Sequence, residues 1–292
     1  MKVISKQHYS EERPLFREKG LRLEGCTFDQ GESPLKEACS ITMEGGAFQW
    51  KYPLWYAKNI QVKGTYFAEN ARAGIWYTDQ IELSDLIIDA PKTFRRCNGI
   101  RLNNIKMPNA AETLWYNRDV ELENVEATGD YFAMGTENIR VKNLLLNGNY
   151  SFDGCKNVEI TDSKLLSKDC VWNCENVLIK NSYIEGEYLG WNSKNVTLQD
   201  CTIKSLQGMC YVENLKVINC RLEGTSLAFE FATVQAQITD SVDSVMNPIA
   251  GTITAPLIKK LIMDPAQVDP AKTTINAEVA ERLDRFDGII PD

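Results

Sequence analysis

Apolar residues recur at intervals of nineteen to twenty-one positions along most of the chain. Each unit opens with an apolar residue, and a second follows two positions later, so both side chains point to the same face of a strand. We number each unit from that first residue, position 0. A fixed period of this length is the signature of a solenoid, in which each repeat stacks on its neighbours. The predicted position 0 residues are Leu21, Ser40, Ile60, Ile81, Ile100, Val120, Ile139, Val158, Val177, Val196, Leu215 and Ala236.

Asn and Asp residues mark the predicted turns, because they occupy positions −1 and +4 in most units. Both residue types tolerate left-handed backbone and hydrogen-bond to nearby amides. Further apolar columns follow at positions +7 and −6, which predicts three short strands around the core of each coil. Parallel connections are right-handed in nearly all proteins. The pattern therefore predicts an all-β fold, a right-handed parallel β-helix of about 12 coils.

The repeat also predicts how the chain is divided. It covers roughly residues 20–244, so we expect residues 1–244 to form the β-helix, with residues 1–19 as its N-terminal cap. After that point the period fades and prolines become frequent. We therefore expect residues 245–292 to form a C-terminal cap.

A short helix is predicted within this C-terminal segment. Ile275, Val279, Leu283 and Phe286 are three or four positions apart, which is the spacing of one face of an amphipathic helix. The predicted helix covers residues 274–286 and would place these four side chains against the end of the core.

Composition narrows the range of partners. The formal net charge is −8 and basic residues form no run, which argues against nucleic acid and anionic membranes. No segment approaches the roughly 18 apolar residues of a membrane span. The first twenty residues lack the apolar core of a signal peptide, and the nine cysteines are an odd number, so we expect reduced thiols in a cytoplasmic protein. His8 is the only histidine, which excludes histidine-based triads and metal sites, and we predict neither a metal nor a cofactor.

Tryptophan is concentrated at a single repeat position. Five of the six Trp residues lie at position −5, beside the inner column, where side chains are predicted to face outward. Arg95 and Asp153 share this position and support that orientation, since a dry core does not hold unpaired charges. Tyr and Arg residues add to the strip at position −4. The predicted ligand-binding residues are Trp55, Trp76, Arg95, Arg96, Trp115, Trp172, Trp191, Tyr56, Tyr77 and Tyr116.

Three interpretations of this aromatic strip remain open. An exposed apolar patch of this extent marks a binding surface, and aromatic rings flanked by charged groups suit an oligosaccharide or a small sugar ligand. Trp, Tyr and Arg also dominate protein interfaces, so the strip would equally serve a non-catalytic scaffold that self-associates into a homo-oligomer. In the third interpretation the strip belongs to an enlarged core or lies beneath the terminal segments.

Carboxylates near the strip are candidates for catalysis. A glycoside hydrolase needs two carboxyl groups a few ångströms apart, and Glu112 and Asp130 fall at nearly the same repeat position in adjacent coils. Asp153 is a third candidate, one coil further on. A lyase would instead need a base and a group that neutralises a uronate, for which Arg95 and Arg96 would provide the charge. Whether the protein is an enzyme stays open, and a hydrolase or a lyase are the two options.

Six segments of the sequence are long and specific enough to compare with a known family: Glu12–Phe16, Gly31–Glu37, Trp50–Tyr56, Arg72–Tyr77, Phe94–Arg96 and Gly186–Ser193. On these segments the whole chain resembles an uncharacterised, mainly bacterial family of proteins of unknown function. The family is similar to the pectin-lyase-like superfamily of right-handed β-helices, which implies polysaccharide lyases, hydrolases and isomerases as distant relatives. The resemblance therefore implies the fold and offers only an analogy for function. Relatives that act on pectin are usually secreted, whereas this chain shows no signal peptide.

Overall fold

Short parallel strands repeat through the protein, whose computed structural model describes residues 1–286 and residue 288. The chain divides into two compact units, Met1–Asn157 and Val158–Asp292. The first unit contains β1 (Lys2–Ser5), β2 (His8–Tyr9), β3 (Lys19–Glu24), β4 (Thr27–Phe28), β5 (Cys39–Glu44), β6 (Ala47–Phe48), β7 (Lys58–Lys63), β8 (Tyr66–Phe67), β9 (Asp79–Ile88), β10 (Asn98–Met107), β11 (Arg118–Thr128) and β12 (Glu137–Asn147). The unit boundary falls within β13 (Lys156–Thr161).

The second unit continues the same alternation of strands and turns. Its strands are β14 (Lys164–Leu166), β15 (Glu175–Lys180), β16 (Tyr183–Glu185), β17 (Lys194–Gln199), β18 (Thr202–Lys204), β19 (Glu213–Leu222), β20 (Thr233–Ile238), β21 (Val242–Met246), β22 (Ala250–Ile262) and β23 (Thr273–Leu283). The helical segments of the described chain are two three-residue 3-10 turns, Glu69–Ala71 and Pro270–Lys272. No helix in this part of the chain is long and apolar enough to cross a membrane.

Successive coils pair in register, which places equivalent residues directly above one another. In the first unit Ile81 pairs with Ile100, Ile100 with Val120 and Val120 with Ile139, all in parallel ladders. These position 0 side chains are at most 2% exposed, so they form one column of the core. The predicted class, an all-β parallel β-helix, is confirmed, while its right hand stays a prediction. The chain forms about 15 turns, somewhat more than the 12 predicted.

The register corrects two assignments within the repeat. Leu21 pairs with Ile41, so Ile41 rather than Ser40 occupies position 0 of its coil. Ser40 has φ 56° and takes the left-handed position that Asn59 fills one coil later. Leu215 pairs with Val234, so Val234 and not Ala236 opens the later unit. Coils differ in length by one or two residues, and this variation misplaced both predictions.

Residues 1–19 already belong to the stack, and their role as the N-terminal cap stays a prediction. Strand β1 pairs with β3 in register, with Lys2 opposite Leu21 and Ile4 opposite Leu23. Strand β2 pairs with β4, and the Tyr9 ring stacks on Phe28 with their centroids 5.1 Å apart. The segment therefore forms a coil of its own.

The predicted C-terminal helix is wrong, because strand β23 occupies most of that segment. It pairs in parallel with β22, which places Ile275 on Ile253, Val279 on Ile258 and Leu283 on Ile262. The same apolar residues fit a helical spacing, but β22 offers a hydrogen-bonding edge, and β-branched residues suit a strand. Pro256 coincides with a shift in the β22–β23 register, as expected for proline inside a strand.

The third side of most coils is a chain of turns and not the predicted strand, although β21 is a strand on this side. Residues at positions −8 and −4 have positive φ in most coils; examples are Tyr52 at 61° and Tyr77 at 57°. Backbone hydrogen bonds nevertheless continue from coil to coil, since the Tyr56 N–H donates to the Trp76 carbonyl oxygen at 3.0 Å. This side therefore keeps the stacking of a sheet while its backbone turns sharply.

Asn and Asp side chains link the turns into ladders, as the sequence predicts. In the second unit Asn214 donates to the side-chain oxygen of Asn195 at 2.8 Å, and Asn195 donates to that of Asn176 at 2.9 Å. All three residues have φ between 54° and 61°. Asn tolerates this left-handed backbone better than most residues, so each ladder residue satisfies both the turn and its neighbours.

Replacement of Asn195 separates the contribution of the ladder hydrogen bonds from that of the left-handed turn. Asn195→Ala removes both ladder hydrogen bonds and places a Cβ without a polar group at positive φ, so we expect a loss of about 2 to 3 kcal/mol in the free energy of unfolding. Asn195→Gly also removes the hydrogen bonds but accepts the backbone, and its loss should be about 1 kcal/mol smaller. Urea unfolding followed by circular dichroism measures both. Equal losses for the two variants would contradict a contribution from the left-handed turn.

Candidate functional site

The Trp strip of the first unit is a ladder of stacked side chains. Trp55 and Trp76 are nearly parallel, with ring centroids 5.2 Å apart and an interplanar angle of 7°. The Arg95 guanidinium carbon lies 4.6 Å from the Trp76 ring centroid and 4.6 Å from that of Trp115. A cation between two indoles is attracted by both ring faces. Trp55, Trp76, Arg95 and Trp115, which we call the indole ladder, therefore form one continuous stack.

Hydrogen bonds fix the orientation of each indole in this ladder. The Nε1–H groups donate to backbone carbonyl oxygens sixteen to eighteen residues further along the chain: Trp55 to Ala73 at 2.6 Å, Trp76 to Lys92 at 2.8 Å and Trp115 to Tyr131 at 2.7 Å. The four ladder side chains are half-buried. Because both faces of Trp76 are covered by ladder neighbours, it presents an edge to solvent. The stacking platform expected from the sequence is therefore not available at this residue.

Position −4 forms a more exposed column beside the indole ladder. Tyr56 and Tyr77 stack with centroids 4.8 Å apart, and Arg96 and Tyr116 follow in the next two coils. Tyr56 is 49% exposed and Tyr116 is 52% exposed. All four residues have φ between 53° and 57°. We call the indole ladder and this column together the aromatic face.

Gly135, in the next coil, leaves the space that the Tyr116 ring occupies. Gly135 has φ 61°, and a Cβ at this residue would lie 2.6 Å from the ring carbon Cδ1 of Tyr116. The Tyr116 ring therefore lies over the bare backbone of Gly135. This contact ends the column of large side chains at position −4.

Positive charge is concentrated on the aromatic face. Lys92 pairs with Glu112 at 2.9 Å, and Arg95 Nη2 lies 3.6 Å from the same carboxylate. The second distance is an ion-pair contact that is longer than a hydrogen bond. Arg95 Nε and Nη2 are buried and have no hydrogen-bond partner within the described residues. With the exposed Arg96, the cluster holds three cations and one carboxylate.

The three predicted catalytic carboxylates have different surroundings. Glu112 lies within the cation cluster, and its backbone N–H donates to the Asp130 carbonyl oxygen at 2.9 Å, which places these residues in adjacent coils. The Asp130 carboxylate accepts the Asn149 N–H at 2.8 Å and so supports a turn. Asp153 is half-buried and aligns with Met134, one coil beyond Trp115. Glu112 contacts the cations, and a catalytic role for any of the three stays a prediction.

The second unit has an aromatic column of its own. Trp172 and Trp191 stack with centroids 5.8 Å apart, and Tyr211 and Phe231 extend the column at 5.1 Å and 5.4 Å. The Trp172 and Trp191 N–H groups donate to backbone carbonyl oxygens at 2.8 Å and 2.6 Å, as in the first unit. Cys210 shares their repeat position but is fully buried, so the predicted outward orientation fails there.

Sequence reasoning missed Glu230, which borders this second column. Its carbonyl oxygen accepts the Tyr211 N–H at 2.7 Å, and its side chain is half-buried. Burial raises the pKa of the Glu230 carboxyl above its ordinary value. A carboxyl with a raised pKa beside aromatic rings is a candidate proton donor. The Trp76 carbonyl oxygen accepts the Tyr56 N–H in the same way, so Glu230 aligns with the Trp position. The predicted unit opened at Ala236 and placed Glu230 at position −6, which hid this alignment.

No group of three or more His, Cys, Asp and Glu residues in the described part of the chain is arranged to hold a metal ion.

A family described as "Protein of unknown function (DUF3737)" matches residues 2–276. No curated protein matches the sequence. Among solved structures, the mannuronan C-5 epimerase AlgE4 A-module of Azotobacter vinelandii is similar over 97% of this chain and 87% of that chain, with 12% identity and a TM-score of 0.30. A similarity at this level carries no argument for function.

Two neighbouring arginines test the structure of the aromatic face. Arg95→Ala removes the cation between two indoles and leaves a gap in the ladder, so we expect a loss of about 2 kcal/mol in the free energy of unfolding. Arg96→Ala removes an exposed side chain and should change this free energy by less than about 0.5 kcal/mol. Chemical unfolding monitored by tryptophan fluorescence distinguishes them. Equal effects would mean that the stacked guanidinium does not stabilise the ladder.

Glu230 gives a pH-dependent prediction. Its raised pKa means that the folded state holds the proton more tightly than the unfolded state, so ionisation of Glu230 costs stability as the pH rises through this interval. Glu230→Gln should therefore raise the unfolding midpoint at pH 7. The gain should disappear below about pH 4, where the carboxyl is protonated in both states. Thermal unfolding from pH 3.5 to pH 7 checks this, and a gain that is constant across pH would contradict it.

Proposed function

The chain belongs to the DUF3737 family of proteins of unknown function, and we propose from its geometry that the aromatic face binds a negatively charged carbohydrate or sugar derivative. The observation that carries the proposal is the cation cluster of Lys92, Arg95 and Arg96 amid exposed Tyr side chains. Glu112 pairs with Lys92 and lies near Arg95, while Arg96 is exposed in the same segment, in a protein whose net charge is −8. Such a local excess of opposite sign favours an anionic ligand.

The two columns of the aromatic face would make different contacts with a ligand. Arg95 is held by its indole neighbours, so its guanidinium is pre-organised and loses little freedom when a ligand binds. Arg96 and Tyr116 are exposed and would supply hydrogen bonds to a carboxylate, sulfate or hydroxyl group. The edges of the half-buried indoles add apolar surface for the ring carbons of a sugar. A few polar groups beside apolar walls is the usual composition of a ligand site.

If the protein acts on the bound carbohydrate, the predicted carboxylates are the groups that would catalyse the reaction. Glu112 is the one that lies beside the cations, so it is the first residue to test. Asp130 and Asp153 remain the second and third candidates. Hydrolysis of the bound ligand would release new reducing ends, whereas elimination would create an unsaturated product that absorbs ultraviolet light.

The binding prediction compares charged and neutral sugars. Wild-type protein should bind a hexasaccharide of a uronic acid and bind a neutral glucose hexasaccharide at least tenfold more weakly, a difference of about 1.4 kcal/mol. Arg96→Ala and Tyr116→Ala should each weaken uronate binding about tenfold and keep the wild-type unfolding midpoint. Isothermal titration calorimetry measures the dissociation constants.

A matched control separates a local contact from net charge. Arg140→Ala removes an exposed arginine of the same unit, on strand β12, where it pairs with Glu121 at 3.0 Å. This variant has the same charge change as Arg96→Ala and should bind like wild type. Equal weakening by both variants would show that only overall charge matters. Loss of an oligomer in Arg96→Ala, without any sugar binding by wild type, would instead assign the aromatic face to an interface.

The reaction is tested with the same uronate hexasaccharide. Wild-type protein is incubated with it and assayed for reducing ends and for ultraviolet absorbance. If either signal appears, Glu112→Gln should abolish it and leave uronate binding within threefold of wild type. Activity that persists in Glu112→Gln would remove this residue from catalysis and direct the search to Asp130 and Asp153.

A further inference from the structure

We propose that the second aromatic column binds the ammonium group of a small organic ligand, with the Glu230 carboxylate and the Tyr211 and Phe231 rings as its partners. This inference goes beyond the proposed carbohydrate site, because it concerns side chains of the second unit and a ligand of opposite charge. A carboxylate beside aromatic rings attracts a cation through its own charge and through the negative faces of the rings. A ligand can reach all three side chains, since Tyr211 is 42% exposed and Glu230 and Phe231 are half-buried.

Glu230 occupies a place that Trp residues fill in other coils of the second unit. The Asn173 N–H donates to the Trp191 carbonyl oxygen at 3.0 Å, and the Tyr211 N–H donates in the same way to the carbonyl oxygen of Glu230 at 2.7 Å. The backbone position that places an indole in the column therefore places a carboxyl group in it here.

The Tyr211 ring leans toward the Trp position. Its centroid lies 5.1 Å from that of Trp191, with an interplanar angle of 57°. The equivalent pair in the first unit, Trp55 and Tyr77, is 6.5 Å apart and nearly perpendicular, at 81°. Burial raises the pKa of the Tyr211 hydroxyl, and the charge of Glu230 raises it further, so the carboxylate lies close enough to act on this ring.

Glu230 has no cationic partner among the described residues. Burial raises the pKa of its carboxyl group, and no positive charge in this part of the chain lowers it. Residues 287–292 contain no Lys, Arg or His. By contrast, Glu213 of the same unit pairs with Lys194 at 3.1 Å. A half-buried carboxylate without a counterion is destabilised, and a ligand cation would remove this cost.

The second unit also shows how a ring and a carboxylate together hold an ammonium group. The Lys168 Nζ lies 5.2 Å from the Tyr188 ring centroid and 2.9 Å from the Glu187 carboxylate. This cluster contains its cation within the chain. Tyr211 and Glu230 provide the ring and the carboxylate without the cation, so we expect a ligand to supply it.

The chemistry of the site selects one ammonium group on a small apolar or hydroxylated body. One carboxylate neutralises one cation, and the Tyr211 and Phe231 rings, with centroids 5.4 Å apart, offer apolar surface beside it. An anionic sugar is disfavoured here, because Glu230 would repel it. Simple alkylamines and amino sugars both carry a primary ammonium group, which is the feature that the site would recognise.

The experiment is a titration of the full chain at pH 7 with two matched pairs of probes, followed by nuclear magnetic resonance of the ligand. Butylammonium is compared with 1-butanol, and glucosamine with glucose, so each pair exchanges an ammonium group for a hydroxyl. Wild type should bind butylammonium about tenfold more tightly than 1-butanol. Tighter binding of glucosamine than of butylammonium would identify an amino sugar as the source, and the reverse order would identify a simple amine.

Replacement of Glu230 tests the carboxylate. Glu230→Gln should weaken butylammonium binding about tenfold and leave 1-butanol binding unchanged. Its fold is not at risk, because loss of this charge is expected to raise the unfolding midpoint at pH 7. Glu213→Gln is the control, since it makes the same charge change at an exposed residue of the same unit. This variant should bind butylammonium like wild type.

Replacement of Tyr211 tests the ring. Tyr211→Leu should weaken butylammonium binding about threefold, while Tyr211→Phe keeps a ring and should stay within about twofold of wild type. Arg96→Ala should bind butylammonium like wild type, and Glu230→Gln should bind the uronate hexasaccharide like wild type. Failure of one site is therefore distinguishable from failure of the other.

Several outcomes would overturn the proposal. Equal affinity of wild type for butylammonium and 1-butanol, or no binding of either, would show that the column does not recognise a cation. Unchanged butylammonium binding by Glu230→Gln would place the recognition elsewhere. Equal weakening by Glu230→Gln and Glu213→Gln would show that net charge alone attracts the probe. Circular dichroism and the unfolding midpoint of each variant verify that loss of binding is not loss of fold.

Discussion

In-register stacking of coils is the constraint on which the other features of this protein depend. Backbone hydrogen bonds between successive coils hold equivalent residues in line, whether the backbone is extended, as at Ile100 on Ile81, or sharply turned, as at Tyr56 on Tyr77. When the same residue type occupies equivalent positions of adjacent coils, its side chains therefore contact each other. Asn side chains become hydrogen-bonded ladders, and aromatic side chains become stacks. Each column stabilises the turn that generates it, because ladder contacts offset the cost of left-handed backbone.

This constraint also explains the form of the candidate site. The spacing between coils in a stacked sheet, about 4.8 Å, is also a favourable spacing for aromatic rings. Trp residues at one repeat position consequently stack on each other and present edges to solvent. Arg95 replaces an indole in the stack without interrupting it, since a planar guanidinium occupies the same space and adds a charge. The aromatic face is therefore rigid, and its recognition chemistry resides in the exposed Tyr and Arg residues beside the ladder.

The sequence was sufficient to predict the stacking and the identity of the columns, because both follow from the repeat period. It was not sufficient where a residue's state depends on its neighbours in other coils. The sequence of one repeat suggests that the faces of a Trp ring are exposed. In the stack, side chains of adjacent coils cover these faces, as at Trp76. Glu230 escaped notice because its unit opens at Val234 and not at the predicted Ala236, which hid its alignment with the Trp position. Thr273–Leu283 fits two periods, and the adjacent strand β22 decides between helix and strand.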